Sequence, residues 1–92
     1  MSKEELTEIL HNLNSLYDNL LIAKGTTDKR SRNKKIHEAE NEIRKYAVCI
    51  PNELRIIFDK EIGHNALFGQ HPNDISECIK IVERLISEYR TK

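Results

Sequence analysis

The sequence is poor in the features that most often announce a function. Two cysteines, Cys49 and Cys78, are too few for the disulfide framework of a small secreted domain. Each falls within an apolar helical pattern, where a thiol reads as a small buried hydrophobe. No uninterrupted apolar stretch has the length of a signal-peptide core or a membrane span, and the opening Met1-Ser2-Lys3-Glu4-Glu5 is charged. The expectation is a protein of a reducing cytoplasm with no membrane association. Net charge is also missing: 15 basic and 15 acidic residues cancel. That removes any whole-molecule attraction to nucleic acid or anionic lipid and leaves only local patches to consider. Neither a phosphate-cradling glycine loop, nor a nucleophile elbow, nor a serine or cysteine beside a recognisable base occurs. A non-catalytic chain is therefore expected, taking no cofactor and no small-molecule substrate.

What is present is helical periodicity. Segments alternating with a period of two are lacking, as are internal repeats and low-complexity tracts, whereas apolar residues recur every three or four positions in four places. Ser2 and Glu5 make a capping box before Leu6, Ile9, Leu13, Leu16, Leu20 and Ala23, with Gly25 expected to close this first helix in a left-handed cap. Residues 26–35 have no periodic hydrophobe and read as a loop running toward a helix start. Ile36, Ala39, Ile43, Tyr46 and Ile50 mark a second helix that stops at Pro51. Leu54, Ile57, Phe58 and Ile62 give a short third helix closed by Gly63. An irregular connector with an apolar tip, Leu67 and Phe68, is expected over His64 to Asn73. Asp74 and Glu77 then cap a fourth helix carrying Ile75, Cys78, Ile79, Val82, Leu85, Ile86 and Tyr89.

A chain of 92 residues holds one hydrophobic core, so residues 1–92 are expected to form a single domain. Four amphipathic segments with short connectors give an all-α, antiparallel helical bundle with its third helix short. Chains this small are stable by only a few kcal/mol, which favours completion of the core by a second subunit. Abundant Lys, Ile, Asn and Glu fit an AT-rich bacterial or phage origin.

Three groups of residues carry functional expectations. The first helix presents Asn12, Ser15 and Asn19 on a face poor in charge, where a merely solubilising surface would hold more Lys and Glu. Depletion of charge also marks the cores of protein interfaces, so these residues, with Leu67 and Phe68, are candidate contacts for another protein or for a second copy, and Leu21 and Ile22 add apolar width at the far end of the same helix. Such a chain is a small regulator, inhibitor or adaptor, either whole or as the first domain of a longer protein. The second group is the basic run Lys29, Arg30, Arg32, Lys34 and Lys35, set against Asp28 alone, which could neutralise several phosphates but lacks aromatic residues for base stacking. Nucleic-acid binding there, with His37 at its edge, is the alternative function.

The segment Arg32-Asn33-Lys34-Lys35-Ile36-His37 also resembles, over six residues, the arginine-to-histidine signature of the HEPN ribonucleases, themselves helical bundles. The resemblance implies a dimer in which Arg32 steadies a scissile phosphate and His37 assists proton transfer at a 2′-hydroxyl. The third group, His11, His37, His64 and His71, is scattered along the chain, and no metal is expected there.

Overall fold

The computed structural model describes residues 2–63 and 72–91. Among them the secondary structure is four helices and no strand: α1 (Lys3–Lys24), α2 (Lys29–Ala47), α3 (Asn52–Ile62) and α4 (Pro72–Thr91). The all-α bundle expected from the apolar spacing is the fold that forms. Helix α1 starts where its capping box places it, the Ser2 hydroxyl accepting the Glu5 amide at 3.1 Å. It ends at Gly25, but with φ −84° rather than in a left-handed cap. The Gly25 amide instead continues the helical pattern onto the carbonyls of Leu21 and Ile22. The left-handed glycine is Gly63, with φ 88°, whose amide closes α3 on the Asp59 carbonyl. A Cβ at that backbone conformation would be strained.

The largest departure from expectation lies at residues 26–35. Only the first few form a connector, and α2 begins at Lys29. Asp28 is its cap, its carboxylate accepting the Ser31 amide at 3.1 Å. Lys and Arg are good helix formers, so a capped run of them coils without any apolar face. Periodicity reports burial, and none of residues 29–38 is buried. Helix α2 also stops earlier than Ile50, at Ala47. The carbonyls of Tyr46 and Ala47 then accept the amides of Cys49 and Ile50 in a turn ahead of Pro51. Helix α4 begins at Pro72, so Asp74 is a first-turn acid and not the cap.

Helix α1 is the spine of the bundle, packing against both α2 and α4, while α3 packs against α4. Leu6, Leu13 and Leu20 of α1, Ile43 of α2, Leu54 and Phe58 of α3, and Ile75 and Val82 of α4 are fully buried in one continuous core. The side chain of Arg84 grips Glu61 through two parallel hydrogen bonds of 2.7 and 2.5 Å, tying α3 to α4 across the surface. Cys78 is buried as expected. Cys49 is exposed instead, because the turn after Ala47 carries it out of the helical stripe. The molecule measures 49 × 22 × 19 Å, with a radius of gyration of 13.9 Å. A compact domain of this length has about 12 Å, so the core is long and thin. Among the described residues, no helix is long and apolar enough to cross a membrane.

Candidate functional site

The connection between α1 and α2 is short, so the two helices run side by side in opposite directions and leave a shallow furrow along one flank. Two adjoining depressions make up this furrow. One, of about 460 Å³, lies between Leu16, Asn19, Ile22 and Ala23 on α1 and Lys35, Glu38, Ala39 and Glu42 on α2. The other, of about 370 Å³, lies between Asn12, Ser15 and Leu16 on α1 and Glu42, Lys45, Tyr46 and Cys49 on the α2 side. Leu16 and Glu42 border both, so the depressions meet at one level and form a single continuous face.

Three of the residues expected to contact a partner are brought together here. Asn12, Ser15 and Asn19 occupy the α1 bank, spaced by three and four positions so that they stack in line. They sit on the flank of the apolar stripe, beside α2, and not on the side of α1 opposite the core. The Asn12 amide donates to the Tyr46 hydroxyl at 3.3 Å, which fastens the two banks together. Burial pushes the Tyr46 phenol above its ordinary range; the bond from Asn12 offsets part of that, and Glu8 and Cys49 add to the rise. Leu67 and Phe68 lie outside the described residues, as do His64 and His71.

Sequence reasoning reached the apolar part of this face only at its Ile22 end. Ile22 is 67% exposed at one end, and Leu16 and Tyr46 are half-buried along the floor. The pattern of α1 did carry a signal in the pair Leu21-Ile22, wider than a single seam requires. The α2 bank contributes charges of both signs, Lys35 and Lys45 flanking Glu38 and Glu42, and the pair Glu42–Lys45 closes to 3.5 Å.

The basic residues occupy a different place. Lys29, Arg30, Arg32, Lys34 and Lys35 stand on the first two turns of α2; Arg32 is half-buried and the others are exposed. Arg32 and the exposed His37 are five positions apart on a continuous helix, which turns their side chains about 140° from each other. One copy of α2 therefore does not bring that arginine and histidine to a common point. Among the described residues, no group of three or more His, Cys, Asp or Glu side chains converges as a metal site would require. The buried Cys78 thiol is pushed up to about 12 by loss of solvent, with Asp74, Asp59 and Glu77 adding to the effect, so it is an inert core group and not a nucleophile.

The architecture is thus an all-α helical bundle with a shallow furrow between its first two helices. Compared with known proteins, the chain matches no family model, no curated protein and no solved structure.

Proposed function

We propose that this chain is a non-catalytic, cytoplasmic interaction module, and that its α1–α2 face docks a second copy of the same chain. The observation that carries the reading is the junction of the two depressions at Leu16 and Glu42. A two-fold axis crossing the face at that level exchanges one depression for the other, which is the condition for a self-complementary interface. With the α1 helices antiparallel, Asn12 of one copy meets Asn19 of the other, and each amide can both donate and accept. On the α2 side the same axis sets Glu38 opposite Lys45, a pairing of opposite charge. Exposed Ile22 gains cover in the same arrangement. A thin, elongated core gives the chain a physical reason to associate, since small domains bury the smallest share of their surface when alone.

Molar mass measured by light scattering over a range of concentrations tests the reading. The chain should move from monomer to dimer as concentration rises, Glu38→Lys and Lys45→Glu should each weaken the dimer, and the double exchange should restore it. A dimer indifferent to all three variants, or a chain that stays monomeric throughout, would overturn the proposal.

A further inference from the structure

Helix α2 holds seven of the 15 basic residues of a chain whose net charge is zero, against three acidic ones. Their distribution is uneven in a second way. Several cations elsewhere in the fold have acid partners: Lys45 with Glu42, Lys80 with Glu77, Arg84 with Glu61. Lys29, Arg30, Arg32, Lys34 and Lys35 have none among the described residues. Asp28, the single acid adjoining the run, is already engaged in capping Ser31.

This concentration opposes the local stability of the helix. Arg30 and Lys34 are stacked four apart, and Lys29–Arg32 and Arg32–Lys35 three apart, so like charges face each other on successive turns. Helices α1, α3 and α4 each carry an acid in the first turn, where the helix dipole favours one; α2 has none and carries cations instead. No core requirement explains the arrangement, since nothing before Ala39 in α2 is buried. A region that violates local charge rules without gaining packing is where a function is expected to reside.

We infer that the five side chains of Lys29, Arg30, Arg32, Lys34 and Lys35 form a binding patch for the phosphodiester backbone of a nucleic acid. A polyanion supplies the counter-charge that the fold withholds, several phosphates at once. Recognition is of backbone charge and not of base sequence, because no aromatic side chain stands in the run to stack on a base. A lipid surface fits less well, since the exposed side of these turns carries no apolar residue to enter it. Of the five, only Lys35 also borders the α1–α2 furrow, so the inference does not depend on self-association.

The test is fluorescence anisotropy of a labelled single-stranded oligonucleotide, titrated with the full chain over a series of salt concentrations, with phosphatidylserine vesicles as a parallel arm. Five phosphate contacts predict a slope of log affinity against log salt near −3.5, roughly a hundredfold loss for a fourfold rise in salt. Arg30→Gln with Lys34→Gln should weaken binding and flatten the slope by about 1.4. Lys3→Gln with Lys60→Gln removes the same charge elsewhere and should leave the slope unchanged; circular dichroism verifies that both variants stay helical. No binding at low salt, a slope unaltered by the Arg30 and Lys34 exchange, or vesicle binding without oligonucleotide binding would each overturn the inference.

Discussion

Leu13 and Leu21 are the same residue type on the same helix, and the same truncation should cost much at the first and little at the second. Leu13 is 0% exposed at the centre of α1, and Leu21 is 44% exposed near its end. Leu13→Ala removes buried apolar atoms and leaves a cavity where α1 contacts its neighbours, a change that costs about 3–5 kcal/mol in packed cores. At roughly 0.05–0.15 kcal/mol per residue, the whole domain is stable by about 5–14 kcal/mol, so this single change removes a large part of the total. Leu21→Ala gives up little packing and places a better helix former on the surface, so its effect should stay within about 0.5 kcal/mol. Urea unfolding followed by circular dichroism resolves the two, carried out on dilute protein because self-association would stabilise the folded state by mass action. The midpoint should fall steeply for Leu13→Ala with little change in slope, and the melting temperature should drop by about 10–30 °C. Equal losses from the two variants would refute the assignment of α1 as the spine of the core.

Two further outcomes follow from the surface and core chemistry. Cys49 is exposed and Cys78 buried, so a thiol reagent should modify one site per chain in the native state and the second only as the chain unfolds; two sites reacting at equal rates would contradict the packing of α4. The Arg84 hydrogen bonds hold the Glu61 carboxyl below its ordinary value of 4.5. A lowered carboxyl favours the fold above the unfolded-state pKa and loses that contribution as pH falls through the folded value. Acid titrations should therefore show the native chain more stable than Arg84→Gln near neutrality, the difference closing as pH drops below 4.5; a gap that widens in acid would refute the pairing.

The fold was legible because burial in a helical bundle is periodic. Leu6, Leu13, Leu20, Ile43, Phe58 and Val82 lie in the core where their spacing puts them, and Ser2 caps α1 as its pairing with Glu5 implies. What escaped was helix without burial. Residues 29–35 coil because Asp28 caps a run of good helix formers, and a rule that looks for apolar recurrence is blind to such a segment. Cys49 escaped for the converse reason: it continues the stripe of α2 in sequence, but the chain leaves the helix two residues earlier. Of the candidate site, the alignment of Asn12, Ser15 and Asn19 was readable from helical spacing alone. Their position beside α2 was not, because which flank of a stripe receives the neighbouring helix depends on the packing of three helices at once.

If α1 and α2 present one self-complementary face to a second copy, amide NMR shifts recorded on serial dilution will map it residue by residue. The resonances that move with concentration should cluster at residues 12–22 of α1 and 35–49 on the α2 side, those of α3 and the outer side of α4 staying still. Spectra that do not change on dilution, or changes centred on α3 and α4, would contradict it.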